Sequence, residues 1–417
     1  MRQLIGSVLL ALVAGPAGVR AQERPLDAPG LRTYVREVLA LNSGLRADVL
    51  RALAATDRIA PAGALPDPMV TVGAMSVPVT SFDFAREPMT QVPTVALQQR
   101  FPFPGKQGAA TAVARAESTL AGARVAANAA ELVATAARAW YGLAFAREAL
   151  RVWEARVILA DQAVAVARSR YETGAAPQTD LLRAQLRRAQ LAEQGLELEA
   201  LVTEARARAD ALRGGSGGDI TTALQPPTDS IPRATDTLLV QASPVLSEAA
   251  TDREHARRVA RTFAIAARPD FTVSLQNGVR LGGREPFLSA MIGVSVPLWA
   301  GRKQGPAARA AELDATAAAA RYEDLFARLR GEVRGQRAHL DALQNRIALT
   351  ADEIVPLADG ASQSALQRYQ VGAVEFTAVL DAQDDVYGAR LQFARLIADY
   401  GTVRARFAAL IGEEWYR

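Results

Sequence analysis

The chain is 417 residues long, and half of it is hydrophobic although only 6% is aromatic, a balance that favours long, closely approaching helices over a thick globular core. A formal charge of +4 is small for this length and argues against a nucleic-acid surface, while the absence of cysteine excludes disulfides, thiol chemistry and a lipidated N-terminal cysteine. The two histidines, His255 and His339, fall in different elements, and there is no Gly-x-Ser-x-Gly or phosphate-cradling glycine loop, so neither an enzyme nor a cofactor or metal site is expected.

The N-terminus, MRQLIGSVLLALVAGPAGVRAQE, has a basic start, an apolar run from Leu4 to Ala14 and a small-residue end. This pattern predicts a secretory signal over 1–21, with cleavage after Ala21. The run is too short to span a bilayer, and no stretch of about 18 apolar residues follows it. If the exported chain crosses a membrane, it does so as β-strands.

A first repeat is expected over 22–213, opening with a helix. Two alternating segments, DPMVTVGAMSV (67–77) and TVALQQRF (94–101), predict a β-hairpin over about 67–101. FPFPGKQG follows at 101–108. Pro102 ends ladder pairing because it has no N–H to donate, Gly105 lets the backbone swing, and Lys106 opens a helix. A helical hairpin is expected over about 106–213. Leu143, Ala146, Leu150, Trp153, Val157, Ala160, Val164, Ala167 and Tyr171 keep 3-4 spacing along a helix of 106–172, about 100 Å long at 1.5 Å per residue. Gly174 supplies a left-handed cap and Pro177 opens the return helix, whose seam from Leu181 to Leu212 is interrupted by Arg188 and Gly195.

A Gly/Pro-rich linker is expected over 214–242, and a second repeat over 243–412. The repeat begins with a helix. DFTVSLQNGV (270–279) and PFLSAMIGVSVPL (286–298) then predict a hairpin over about 270–298, with Leu288, Ala290, Ile292, Val294 and Val296 on one face. VPLWAGRKQG (296–305) repeats the earlier phrase through Pro297, Gly301 and Lys303, and Lys106 and Lys303 are the two lysines of the chain. Both ammonium groups are expected to turn toward lipid phosphates where the strands leave a membrane. A helical hairpin over about 303–411 follows, with Pro356 kinking its first arm. Its second arm keeps Val379, Ala382, Val386, Ala389, Phe393, Leu396, Tyr400, Val403, Phe407 and Leu410 in register. Gly372 caps the turn between the two arms.

The duplication is explicit in RYETGAAPQTDLLRAQ at 170–185 and RYQVGAVEFTAVLDAQ at 368–383. Two hairpins per chain cannot close a sheet, and exposed strand edges in lipid are not tolerated, so closure is expected from several copies.

QQRFPFPGKQG, VPLWAGRKQG and the paired RYxxGA turns with LLRAQ and VLDAQ resemble the TolC-like outer-membrane efflux protein family, over residues 28 to 412. The resemblance implies a mainly α fold with a β-barrel part, internally duplicated, with four strands and four main helices per chain. It implies a homotrimer whose 12-stranded barrel lies in outer-membrane lipid and continues as a periplasmic α-helical barrel in a Gram-negative-type cell. The implied partners are a periplasmic adaptor and an inner-membrane pump of the RND type, for which this chain is the passive exit duct. Asp180, Arg183 and Asp381 are the implied constriction, Ala378 standing where the family carries a further aspartate. Tyr171, Gly174, Ala175, Tyr369, Gly372 and Ala373 are the implied tip against the adaptor. The stretch from LPDPMVTVG to FPFPGK looks most like members that serve heavy-metal cation pumps. The alternative, a periplasmic coiled-coil adaptor or scaffold, would carry a lipoyl-like half-motif and a single hairpin, and this sequence has two hairpins, each preceded by paired strands.

Overall fold

A computed structural model describes residues 28, 30–77, 89–215, 217–228, 231–280 and 284–417. The signal segment, with its cleavage point, lies outside the described residues. The chain divides into two compact units.

The unit built from residues 49–123 and 248–325 holds the sheet. It contains most of α2 (Ser43–Asp57), which follows α1 (Leu31–Leu41), and a short helix α3 (Ile59–Gly63). Strands β1 (Met69–Met75) and β2 (Gln91–Phe101) form the first hairpin. Strands β3 (Asp270–Arg280) and β4 (Phe287–Ser295) form the second. The two hairpins also join each other: β2 pairs antiparallel with β3, Phe101 opposite Phe271, giving the order β1-β2-β3-β4. The outer edges of β1 and β4 are therefore open. Each hairpin runs into a long helix, α4 (Lys106–Glu172) after β2 and α8 (Gln304–Leu349) after β4.

The unit built from residues up to 48, 124–247 and 326–417 is a helical assembly. It takes in most of α4, its return helix α5 (Gln178–Leu212), the short α6 (Asp236–Gln241), α9 (Val355–Gln370) and α10 (Phe376–Leu410). The start of α7 (Pro244–Ala264) also belongs to it. The 67 residues of α4 match the expected span. Its core is alanine-rich, with Ala136, Ala137, Ala144, Ala146, Ala209, Ala405 and Ala408 around Trp140 and Tyr34. Small side chains let helices approach closely, which is why so apolar a chain needs so few aromatics. The α10 seam is placed as its spacing predicts: Val379, Val386, Leu396, Tyr400, Phe407 and Leu410 are all buried.

Pro356 does interrupt the second long helix, in a defined way. Its ring would strike the carbonyl four residues back, and it has no N–H to give. The helix responds with a π-helical turn over Thr350–Ile354, where the Val355 N–H donates to the Thr350 carbonyl. The two exceptions in the α5 seam are also explained. A Cβ on Gly195 would lie 2.5 Å from the Trp153 indole, whose Nε1 donates to the Leu191 carbonyl at 2.8 Å. Arg188 leaves the seam to pair with Asp161 at 2.7 Å. The linker is tied down at its start. Ile220 is buried, and Trp140 donates to the Thr221 carbonyl at 3.0 Å.

Candidate functional site

The sheet separates its side chains by chemistry. With Val70 opposite Leu97, Val72 opposite Val95, Phe271 opposite Val294 and Val273 opposite Ile292, one face carries an apolar band across all four strands, interrupted at Gln99 and Asn277. Every residue of that band is substantially exposed; Ile292 reaches 78% and Leu288 74%. The opposite face carries Thr71, Gln98, Thr272, Ser274, Gln276, Ser289 and Gly293. A soluble sheet would bury the first face and wet the second, and this one leaves both open. An apolar exterior backed by a polar interior is the pattern of a membrane barrel.

At the base of the sheet the chain turns into the helices. Gly105 adopts φ 98°, as the swing at this point demands, whereas Gly301 is not left-handed and residues 297–303 pass through successive turns instead. Lys106 differs from expectation. Its ammonium donates to Asp270 at 2.9 Å and to the Arg268 carbonyl at 2.6 Å, so it is spent inside the protein and not on lipid. Asp270 also accepts from Arg100 at 2.6 Å and from the Phe103 N–H at 2.9 Å. A buried carboxylate with three donors is stable only because they converge on it. Sequence reasoning missed Asp270; its one signal was that Pro269-Asp270 repeats Pro66-Asp67. Lys303 is exposed, and Trp299 beside it is 71% exposed.

The turns at the far end of the hairpins repeat down to their hydrogen bonds. The Gly174 N–H donates to Tyr171 and the Ala175 N–H to Arg170; likewise Gly372 donates to Tyr369 and Ala373 to Arg368. Gly174 and Gly372 sit at φ 71° and 76°, the left-handed cap that glycine adopts without strain. Tyr171, Gly174, Ala175, Gly372 and Ala373 are exposed, but Tyr369 is 2% exposed. It packs on Phe376 with ring centroids 5.2 Å apart, lies under the Arg170 guanidinium at 4.5 Å, and donates to Asp180 at 3.2 Å. Tyr369 therefore organises the tip from within and cannot touch a partner.

Burial first, and then Asp180, push the Tyr369 phenol above its usual value, so it remains the donor. A raised folded pKa means that this contribution is complete below about pH 10 and is lost as pH rises through the raised value. Protease resistance of the tip is expected to decline with alkalinity beyond pH 10 in the wild type and to be flat over that range in Tyr369→Phe. Matching profiles would show that the phenol is not the cause.

Of the expected constriction, Asp180 is half-buried against Tyr369, whereas Arg183 and Asp381 are exposed and make no ion pair among the described residues. The structure does not bring these three together within one chain. The ionic cluster that does form lies one turn along α10. Asp384 accepts from Arg156 of α4 and Arg187 of α5. Arg156 is 6% exposed and stacks on Tyr387 at 4.3 Å. Asp384 thus cross-links three helices through charges that no local spacing reveals.

No group of three or more His, Cys, Asp or Glu residues capable of holding a metal occurs among the described residues. No helix among them is long and apolar enough to cross a membrane.

Comparisons with known proteins bear on this arrangement. The family model described as outer membrane efflux protein matches residues 34–215 and 237–413. No curated protein sequence matches significantly. Among solved structures, CusC, described in terms of folding and transmembrane channel formation, superposes with a TM-score of 0.81 at 17% identity, over 95% of each chain. The outer-membrane channel OprN superposes at 0.80 and 19% identity, over 98% of this chain and 96% of its own. The outer membrane protein VceC from Vibrio cholerae gives 0.75 and 20% identity, over 92% and 96%.

Proposed function

From the premise that this chain belongs to the outer membrane efflux protein family, we propose that three copies form the passive exit duct of a tripartite efflux system. Family membership makes it an outer-membrane transport protein and not an enzyme. The observation that carries the proposal is the four-stranded sheet with an exposed apolar face, a polar face and two open edges. Three such sheets joined edge to edge give a closed barrel of twelve strands, the arrangement that leaves no backbone group unpaired in lipid. The helical hairpins also need neighbours, because Leu182, Leu186 and Leu196 of α5 are 54–68% exposed. Assembled side by side, they continue the duct through the periplasm.

Work on the cargo is done elsewhere, by an inner-membrane pump of the RND type reached through a periplasmic adaptor. The exposed tip residues Tyr171, Gly174, Ala175, Gly372 and Ala373 are the adaptor's landing surface, where small side chains allow close helix approach. Asp180, Arg183 and Asp381 narrow the periplasmic mouth across subunits. Asp381→Ala is expected to raise the single-channel conductance of the resting channel in planar bilayers, and an unchanged closed current would remove Asp381 from the constriction.

Metal cations are the proposed cargo class. Met69 and Met291 lie on the polar face of the sheet, and Met75 receives a contact from Gln276 of that face at 3.6 Å. Thioethers there offer weak, soft contacts that a passing soft cation can leave as easily as it enters. Cells lacking this gene should accumulate soft metal ions, and restoring it should lower the accumulation. The trimer itself is tested by heat-dependent migration of outer-membrane fractions: a chain that runs only as a monomer sinks the duct.

A further inference from the structure

Two strand-to-helix junctions of the duplicated chain carry the same groups on different turns, yet only one of them completes its ion pair within the chain. Where β2 leads into α4, Lys106 reaches across to Asp270 at the foot of the neighbouring β3, and the Phe103 N–H reaches the same carboxylate. The repeat carries a second set of the same groups. Lys303 stands in the same Lys-Gln-Gly sequence beside the start of α8, and Asp67 follows Pro66 below β1 as Asp270 follows Pro269. Asp67 and Lys303 are both exposed, and neither makes an ion pair with a described residue. They belong to opposite edges of the sheet, with β2 and β3 between them. Three strand spacings of about 4.8 Å keep them apart in one chain.

We infer that Lys303 of one subunit binds Asp67 of the next, and that β4 pairs with β1 of a second copy in the register of the internal β2–β3 seam. The inference rests on the oligomeric barrel proposed above and specifies how its subunits join. Matching Pro297 to Pro102 and Asp67 to Asp270 carries the internal pairs over directly. Gln98 opposite Ser274 becomes Gly293 opposite Thr71, and Gln99 opposite Val273 becomes Val294 opposite Val70. The sheet faces supply an independent check. In the transferred register Val70 and Val72 of the second copy fall beside Val294 and Ile292 on the apolar face, and Thr71 falls beside Gly293 on the polar one. A slip of one residue would turn the valines to the wrong side.

The chain has no cysteine, so introduced pairs are the only thiols. Gly293 accepts a side chain, since a Cβ there meets only Thr272, at 3.8 Å. Full-length Thr71→Cys with Gly293→Cys, oxidised mildly in outer-membrane fractions, should shift on non-reducing gels to dimer and closed-trimer bands that a reductant collapses. Val72→Cys with Gly293→Cys, one residue out of register and on opposite faces, should give several-fold less. Absent or reversed cross-linking, with a heat-modifiable trimer still present, overturns the register while leaving the duct intact. A monomeric wild type overturns both. For the ion pair, Lys303→Glu should lower the temperature at which the trimer separates in detergent, and adding Asp67→Lys should restore it. Failure of the double variant to recover removes the Lys303–Asp67 pair.

Discussion

Gly401→Ala is expected to destabilise the helical unit by about 3 kcal/mol, the upper end of what overpacking a filled core costs. On helix propensity alone the same change should stabilise by about 1 kcal/mol, because glycine is the poorest non-proline residue in a helix interior. Packing wins because of where Gly401 lies. A Cβ built there sits 2.0 Å from Cζ of Tyr141 and within 2.4 Å of both Cε atoms, against the hydroxyl-bearing end of the ring. Tyr141 cannot step aside easily: it is 5% exposed and held edge-on against Trp140 with ring centroids 5.0 Å apart. Gly388, on the same helix, is the control. Nothing lies within 4 Å of its Cβ position, so Gly388→Ala should be neutral or mildly stabilising. Thermal unfolding followed by circular dichroism measures both. A double-mutant cycle with Tyr141→Ala should return a large coupling for Gly401→Ala. If Gly401→Ala melts at or above the wild-type temperature, α4 and α10 do not cross at this point.

Asp270→Ala should be comparably severe, about 3–5 kcal/mol, the range for removing one member of a buried ion pair. The loss is not chiefly the contact with Arg100, whose side chain is 61% exposed and well solvated without it. The cost arises at Lys106, 20% exposed, and at the Phe103 N–H, both left without their carboxylate at the point where strand becomes helix. Asp270→Asn keeps an acceptor for the Phe103 N–H but not the charge, and should fall between. The observable is the temperature at which the folded, fast-migrating form converts to the unfolded one on gels. An Asp270→Ala protein that converts with the wild type would show that the hairpins are held by ladder hydrogen bonds alone.

These two sites mark the boundary of what was legible beforehand. Helix extents and strand faces follow from spacings of 3.5 and 2.0 along the chain, and they repeat themselves here, so α4, the capped turns at Gly174 and Gly372 and the apolar face of β4 could all be placed. Their causes are local: backbone hydrogen bonds within a helix, alternation within a strand, a left-handed cap. The constriction and tip residues came from resemblance, and the structure sorts them unevenly, drawing Tyr369 inside while its repeat counterpart Tyr171 stays out.

The sequence by itself determined a duplicated hairpin unit, its two sheet faces, its helix lengths and the need for neighbours. Only the tertiary structure decided that β2 lies against β3, that Lys106 answers Asp270 164 residues away, and that Gly195 and Gly401 are glycine because an indole and a phenol occupy the space above them. The physical reason is that a periodic pattern says which face of an element is apolar but not which partner covers it. Partner choice rests on pairs of side chains far apart in sequence, whose fit exists only once the chain has closed on itself.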